Sequence, residues 1–362
     1  MLHLPFFREV GILQRHTVII QKRIAKPIPP LESPEKVAKK MPIPIIMELE
    51  TGDPDDILAF LLALSHPRIQ LKAVVMSPGT PDQIGLIRHL LRTYGKPDIP
   101  IGAFNLDHPK RSVSDWYSTT FGAFSDSRDA EPGLNIILEH CDQNTTMLCC
   151  GPMKNLGSAI AYADQHHINF QFKKVVIQGG FAGEGVVPDE DLPEKFKGKT
   201  KCPSWNLGAA ISDTKRILSS SRCPKIQLVS KNVCHSVLWD ETLSQKLANA
   251  QNPMIHTIDG IMRHYQEKKG HPKIIHDIVA VACALDERVC DWANVDVLHS
   301  KREGWGASIN STSHIAIVTR FHSDQFIQTL TETADSSEKN TPTASFIHPS
   351  TRIESALSPK HS

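Results

Sequence analysis

Residues 47–56 constrain the fold most, because they place five carboxylates between two apolar runs. The run before them, residues 43–46, has the composition of a buried strand, and the run after them, residues 57–64, has that of a buried helix. The pattern predicts a strand, a tight turn and a helix, with the acidic side chains gathered where the strand ends.

From residue 42 onward, short apolar runs alternate with helical ones, which is typical of repeated βα units. Strands are expected at residues 43–49, 71–76, 146–150, 174–178, 226–230 and 314–319, and helices at residues 55–65, 81–94, 155–165, 205–219, 241–250 and 276–285. Strands this apolar are normally covered on both faces. We therefore predict a single α/β domain with a doubly wound, mostly parallel, Rossmann-like sheet.

The predicted domain spans residues 42–326. Residues 1–41 are basic and proline-rich towards their end, and we expect a poorly ordered segment, with mitochondrial targeting as the minor alternative. Residues 327–362 are polar and rich in serine and threonine, which predicts a disordered or peripheral tail.

Composition limits the classes of partner. Forty basic and thirty-nine acidic residues give a net charge of +1, so we expect neither a nucleic acid nor a membrane partner, but a small ligand. Eight scattered cysteines without a C-x-x-C pair favour reduced thiols and a cytoplasmic location. No apolar run approaches the roughly 20 residues that span a bilayer. The sequence leaves the oligomeric state open, a homo-oligomer included.

Part of the acidic turn has a purely structural explanation. Asp53 can cap the helix, and Pro54 suits its first position. Asp55 and Asp56 then lie at the positive end of the helix dipole, where carboxylates are stabilising. These residues alone leave a structural and a functional role equally open.

Glu48 and Glu50 are different, because residues two apart on a strand face the same side. Both carboxylates would then point towards the aspartates that open the helix, and only a cation or protonation relieves such repulsion. An all-oxygen cluster favours calcium or magnesium over zinc or iron.

A second acidic motif, His276-Asp277, precedes another apolar helical run, and alone it could be a capping aspartate beside a partly buried histidine. With it, the chain resembles the inosine-uridine-preferring nucleoside hydrolase family over about residues 42–321. The motifs occur in matching order: the acidic turn, the segment 151–156 (G-P-M-K-N-L), Gly179-Gly180, Trp205-Asn206 with Ala209-Ala210, and residues 276–282.

The resemblance implies a set of roles at the matching positions. Calcium ligands would be Glu50, Asp56, the backbone carbonyl of Cys150 and Asp277. Ribose hydroxyls would be held by Asp55 and Asn206, with Glu48 as a nearby acid. The implied reaction is attack of calcium-bound water on the anomeric carbon of a ribonucleoside, with Glu50 taking the proton and His276 beside the leaving base.

The chain departs from the family pattern at several of these positions. The family motif D-x-D-x-G-x-D-D appears as E-L-E-T-G-D-P-D-D, with two glutamates and one extra residue, and the family's Glu-Phe-Asn appears as Ser204-Trp205-Asn206. A nucleoside- or ribose-binding protein with impaired turnover is therefore the alternative function. The base pocket is not readable, but Trp116, Tyr117, Trp239 and His264 are candidates for stacking on the base, or else ordinary core aromatics.

A third hypothesis is a haloacid-dehalogenase-like phosphohydrolase, since residues 48–51 have the shape of D-x-D-x-T after a first strand. That chemistry needs an aspartyl nucleophile where this chain has Glu48, and it leaves Asp55 and Asp56 unexplained. We therefore rank it below the other two.

Overall fold

A computed structural model describes residues 41–332 of the chain. The predictions for residues 1–40 and 333–362 lie outside the described residues. The strands are β1 (Ile43–Leu49), β2 (Ile69–Met76), β3 (Ile101–Ala103), β4 (Glu131–Pro132), β5 (Thr146–Cys150), β6 (Lys174–Gln178), β7 (Lys201–Cys202), β8 (Ile226–Val229), β9 (Leu238–Trp239), β10 (Lys273–Ile274), β11 (Cys290–Ser300), β12 (Gly304–Ile309) and β13 (Ile315–Phe321). The helices are α1 (Pro54–Ser65), α2 (Pro81–Thr93), α3 (Asp115–Phe121), α4 (Gly133–His140), α5 (Lys154–His166), α6 (Trp205–Gly208), α7 (Ile211–Leu218), α8 (Lys231–Cys234), α9 (Glu241–Leu247), α10 (Pro253–Lys269), α11 (Asp277–Leu285) and α12 (Ser323–Thr331).

One large sheet runs in the order β4-β3-β2-β1-β5-β6-β8-β13-β11-β12-β7. Neighbouring strands from β4 to β13 are parallel, whereas β11, β12 and β7 continue the sheet by antiparallel pairing. The chain moves from β1 outward to β4 and then returns to the other side of β1 as β5. The strand order therefore reverses between β1 and β5, and this is where open α/β sheets bind their ligands, outside the carboxyl ends of the strands.

Side chains of β1 alternate between two apolar cores, one on each face of the sheet. Ile45, Met47 and Leu49 belong to a core that includes α1 and α11, and Ile46 belongs to a core that includes α5. Residues 55–64 of α1 are all buried, because this helix lies between the sheet and the helices α10 and α11. A helix enclosed on all sides places its first turn rigidly against the end of β1.

The predicted α/β fold with a mostly parallel, doubly wound sheet is confirmed. The predicted limits of β1, β5 and β6 agree with the structure. The helix predicted at residues 205–219 is wrong in one respect, since Ala210 has a non-helical backbone (φ −144°, ψ 55°) and separates α6 from α7. The antiparallel strands β11 and β12 were not expected.

The packed domain continues beyond the boundary predicted at residue 326. Helix α12 spans Ser323–Thr331, and its Leu330 is fully buried in the core on the α1 side of the sheet. Among residues 41–332, no helix is long and apolar enough to cross a membrane. The cytoplasmic location stays a prediction of the sequence.

Replacing Leu330 by alanine tests the extended boundary. Because the leucine side chain is fully buried, we expect Leu330→Ala to lower the free energy of unfolding by about 2 to 5 kcal/mol, measured by urea denaturation. Leu298→Ala is the matched control, since Leu298 is 41% exposed, and its loss should be below about 1 kcal/mol. Equal small losses would place α12 outside the packed domain.

Candidate active site

The acidic turn joins β1 to α1 through a capped helix start. Oδ1 of Asp53 accepts a hydrogen bond from the Asp55 amide at 3.0 Å. The Asp53 amide donates in return to Oδ2 of Asp56 at 2.9 Å, which completes a capping box, and Pro54 opens the helix as predicted. Lys273 Nζ lies 2.9 Å from Asp53 and balances its charge. The two aspartates of the first turn are therefore fixed by backbone contacts.

Asp55 connects the acidic turn to the second acidic motif. Its Oδ2 accepts hydrogen bonds from the backbone amides of His276 at 2.5 Å and of Asp277 at 2.7 Å. Its Oδ1 is buried and has no hydrogen-bond partner among residues 41–332. Burial raises the pKa of Asp55 to about 6, against the opposing charge of Lys273 and the amide bonds. One oxygen of this carboxylate is thus used by the fold, and the other is available to a ligand.

Asp56 and Asp277 bring two carboxyl groups into direct contact. Burial raises the pKa of both well above the ordinary value for an aspartate, and for Asp277 the charge of Asp56 adds to the rise. Each side chain is 4% exposed. Two charged carboxylates cannot share so dry a position, so the pair requires either a shared proton or a cation.

Glu50 lies where β1 and β5 end side by side. Leu49 pairs with Cys150 in the sheet, and a Cβ at Gly151 would lie 3.0 Å from the Glu50 amide nitrogen. Glycine thus allows the end of β5 to approach the turn closely. Burial raises the pKa of Glu50 to about 7, while a hydrogen bond from Trp205 lowers it.

His276 and Asn206 complete the polar lining. Burial lowers the pKa of His276 to about 4, and the charge of Lys273 lowers it further, so the imidazole is neutral at neutral pH. Asn206 Nδ2 donates to the backbone oxygen of Gln178 at 3.0 Å and to its Oε1 at 2.9 Å. These two bonds fix the amide and leave its Oδ1 as an acceptor.

These residues meet in one cavity outside the carboxyl ends of the parallel strands. Its walls are formed by Glu50, Asp53, Asp55, Asp56, Cys150, Gln178, Ser204, Trp205, Asn206, Lys231, His276 and Asp277. The structure therefore brings together every residue to which the resemblance assigned a role except Glu48. Their individual roles stay predictions.

Glu48 does not line the cavity, which corrects its predicted place beside the ribose. The side chain is fully buried on the α5 side of the sheet. It accepts hydrogen bonds from the Asn155 amide at 2.8 Å, Asn155 Nδ2 at 2.9 Å, Ser77 Oγ at 3.0 Å and the Leu156 amide at 3.2 Å. The strand ends at Leu49, so strand alternation does not extend to Glu50, and the two glutamates reach different environments.

The aromatic candidates for base stacking are likewise placed elsewhere. Tyr117 and Trp239 are core residues, with the tyrosine hydroxyl donating to the Asp53 backbone oxygen and the indole to Asp259. Trp116 packs against the core on the α1 side, and His264 is exposed on α10. Trp205, which is 71% exposed, is the aromatic side chain that lines the cavity.

Sequence reasoning also missed Gln178 and Lys231. Gln178 is the last residue of β6, and Lys231 lies just beyond the end of β8. The available signal was position, since Gln178 ends, and Lys231 directly follows, an apolar run that was predicted as a parallel strand. The polar residue that ends such a run faces the ligand edge of the sheet.

The oxygen ligands that line the cavity are of the kind that a hard cation prefers. It consists of carboxylate and carbonyl oxygens, as calcium prefers, and Asp55 contributes a buried oxygen without a partner. In the described part of the chain, no three His, Cys, Asp or Glu side chains are already arranged to hold a metal ion. Metal binding would therefore require the side chains to draw closer together. All eight cysteines lie in the described part of the chain and form no disulfide there.

The Glu48 network should stabilise the fold. Glu48→Ala would leave buried donors of Ser77, Asn155 and Leu156 without an acceptor, so we expect the free energy of unfolding to fall by about 3 kcal/mol or more in urea denaturation. Glu139→Ala, at an exposed position of α4, is the control and should change it by less than about 0.5 kcal/mol. Similar values for the two variants would show that the network contributes nothing to stability.

Comparison with known proteins identifies the family. Residues 45–329 match the family model of the inosine-uridine preferring nucleoside hydrolases. The chain is 27% identical over 161 residues to the pyrimidine-specific ribonucleoside hydrolase RihA of Klebsiella pneumoniae, covering 40% of this chain and 50% of that protein. It is 28% identical over 157 residues to RihA of Shewanella sp. strain MR-4, covering 39% and 48%. The matched part is thus about half the length of these curated relatives.

Solved structures of nucleoside hydrolases have the same fold. A plant nucleoside hydrolase superposes with a TM-score of 0.59 at 17% identity, covering 80% of this chain and 98% of that one. A purine-preferring ribonucleoside hydrolase from Gardnerella vaginalis gives a TM-score of 0.56 at 16% identity, covering 80% and 98%. Since the family model matches well over half of the sequence, the chain belongs to the inosine-uridine preferring nucleoside hydrolase family.

Proposed function

We propose that this protein hydrolyses the N-glycosidic bond of a ribonucleoside to give the free base and ribose, with calcium as cofactor. The observation that carries the proposal is the convergence of buried carboxylates, a fixed amide and a neutral imidazole in one cavity at the strand-order reversal. Family membership supports the same reaction class. The names of the matched proteins include both pyrimidine-specific and purine-preferring hydrolases, so the test below uses nucleosides of both kinds.

Calcium would be held by Glu50, Asp56, Asp277 and the backbone carbonyl of Cys150. The support is electrostatic, because the contacting carboxyls of Asp56 and Asp277 are buried and repel each other unless a positive charge or a proton lies between them. When bound, the ion would lower the pKa of a water molecule and so supply a nucleophile at neutral pH.

The ribose would be oriented by Asp55 and Asn206. Asp55 Oδ1 is a buried acceptor without a partner in residues 41–332, and a sugar hydroxyl is a suitable donor for it. Asn206 offers its Oδ1 from a side chain already fixed by Gln178. Acceptors held in place before binding reduce the entropic cost of positioning the anomeric carbon.

Proton transfer would involve Glu50 and His276. Glu50 borders the cavity and is the carboxylate proposed to take the proton from the attacking water. The neutral His276 lies in the same cavity and can donate a hydrogen bond to the departing base. Trp205 offers an exposed indole at the cavity edge on which a base can stack.

Removing the proton acceptor tests the reaction. We expect Glu50→Ala to lower kcat for release of reducing sugar by at least about a hundredfold on a panel of purine and pyrimidine ribonucleosides, because proton abstraction is worth about that much. Glu303→Ala is the matched control, since Glu303 lies on the β11–β12 turn in an ion pair with Lys201. Full activity of Glu50→Ala would remove Glu50 from the mechanism.

Calcium binding should stabilise the fold independently of turnover. At about 100 times the dissociation constant, we expect calcium to add about 2.7 kcal/mol to the free energy of unfolding. A chelator should reverse this gain, and Asp277→Asn should abolish most of it, as measured by thermal denaturation. The same concentration of magnesium should stabilise less, because a cluster of flexible carboxylates suits the larger ion.

The combined outcome separates the alternative functions. Calcium-dependent stabilisation without release of sugar from any nucleoside would support the binding protein with impaired turnover. The phosphohydrolase hypothesis has lost its structural basis, because Glu48, at the position its nucleophile would need, is fully buried away from the cavity.

A further inference from the structure

The cavity has charges of opposite sign at its two ends. In the sheet order β1-β5-β6-β8, its walls carry Glu50 after β1, Cys150 at the end of β5, Gln178 at the end of β6 and Lys231 after β8. Three strand spacings separate the backbone positions at the two ends of this row, which corresponds to about 14 Å, and the side chains extend into the cavity between them. The acidic end coincides with the proposed calcium and ribose contacts, so the basic end faces another part of the substrate.

Lys231 has no carboxylate partner in the described part of the chain. Its Nζ donates to the backbone oxygen of Pro203 at 3.1 Å, and its amide donates to the Gly180 oxygen at 3.1 Å, which fixes its backbone. Lys273, by contrast, is neutralised by Asp53 at 2.9 Å. Lys231 therefore brings an uncompensated positive charge to the cavity wall, with ammonium donors left for a ligand.

Ser204 adds a neutral donor on the same wall. Its Oγ accepts a hydrogen bond from the Gly180 amide at 3.0 Å, so its own hydroxyl proton is available to a ligand. The family motif carries a glutamate at this position, and a glutamate beside Lys231 would repel an anion. The serine in this chain removes that repulsion and leaves the lysine unpaired.

The position of these donors indicates which part of the substrate they contact. Pro203 and Ser204 lead directly into Asn206, the proposed ribose contact, whereas the leaving base is expected beside His276. The charge of Lys231 also lowers the pKa of His276, so the lysine alone does not separate the sugar from the base. Its contact with Pro203, next to Ser204 and Asn206, assigns the group recognised here to the sugar. A phosphate ester is the sugar substituent that combines negative charge with several strong acceptors.

We propose that the substrate of this site is a ribonucleoside 5′-phosphate, with the phosphate bound by Lys231 and Ser204. This inference rests on the proposed hydrolase function. The reaction consumes one water: its oxygen bonds to the anomeric carbon as the bond to the base nitrogen breaks, one proton stays on the new hydroxyl and the other passes to the base. The products are ribose 5-phosphate and the free base.

The test compares matched neutral and phosphorylated substrates. We expect kcat/KM for uridine 5′-monophosphate and inosine 5′-monophosphate to exceed that for uridine and inosine at least tenfold, with base release measured by chromatography. Lys231→Gln should lower this ratio at least tenfold, and Lys231→Arg should retain it. Lys301→Gln, at an exposed lysine of the β11–β12 turn, is the control and should leave the ratio unchanged.

The outcomes test the phosphate site separately from the hydrolase function. Faster hydrolysis of neutral nucleosides, with a ratio insensitive to Lys231→Gln, would overturn the phosphate site and leave the hydrolase intact. A preference for nucleosides with an acidic base, such as orotidine, over the monophosphates would also overturn it.

If no substrate is hydrolysed, the phosphate site is tested by comparing the binding of ribose 5-phosphate and of ribose by calorimetry. Ribose 5-phosphate binding at least tenfold tighter than ribose, with the difference lost in Lys231→Gln, would support the phosphate site although the hydrolase proposal had failed. Equal binding of the two sugars would overturn the site.

Discussion

Two backbone hydrogen bonds to a single buried carboxylate hold the cavity together. Asp55, in the first turn of α1, accepts both from the start of α11, more than two hundred positions further along the chain. Hydrogen bonds to a charged acceptor in a dry environment are worth about 1.5 to 3 kcal/mol each. They also place the acceptor at the positive end of α11. The two acidic motifs of the sequence become one site through this contact.

The same contact gathers charges that repel each other. The fold tolerates them because both helices are enclosed by apolar residues on their remaining sides, so their packing offsets the electrostatic cost. The capping box and Lys273 satisfy the outermost acid, Asp53. Asp56 and Asp277, deeper in the cavity, form no ion pair with a cation among residues 41–332 and retain raised pKa values. The fold itself therefore does not supply enough positive charge to balance the carboxylates of the site.

The sequence predicted the parallel centre of the fold well and its edge poorly. Strands β1, β5 and β6 are continuous apolar runs buried on both faces, and their limits followed from composition alone. Strand β11 instead has only two buried residues, Cys290 and Val295, over Cys290–Ser300, and without a buried run it was overlooked. An edge pairing that depends on distant partners leaves little local signal.

At the site, residue identity was a better guide than side-chain direction. The acids and the histidine were predicted from their motifs and line the cavity. Glu48 was misplaced because strand alternation was extended past Leu49, the last residue of β1, to Glu50. Glu48 lies inside the strand and Glu50 beyond it, so the two side chains occupy different faces. Lys231 was missed because a lysine after a strand is common, and its meaning depends on the lack of a nearby acid, which only the folded chain reveals.

The wall that carries Ser204, Trp205 and Asn206 follows β7, a two-residue strand at the outer edge of the sheet. β7 pairs with β12 through Cys202 and Lys201, whereas β1 is paired on both sides. Edge segments with few backbone hydrogen bonds open by local unfolding at lower free energy than central strands. The cavity thus has one wall that opens only with the whole domain and another that can detach and re-form in the native state. We therefore expect amide protection to fall from the acidic wall towards the sheet edge, and ligands to enter and leave past the edge wall without a separate lid.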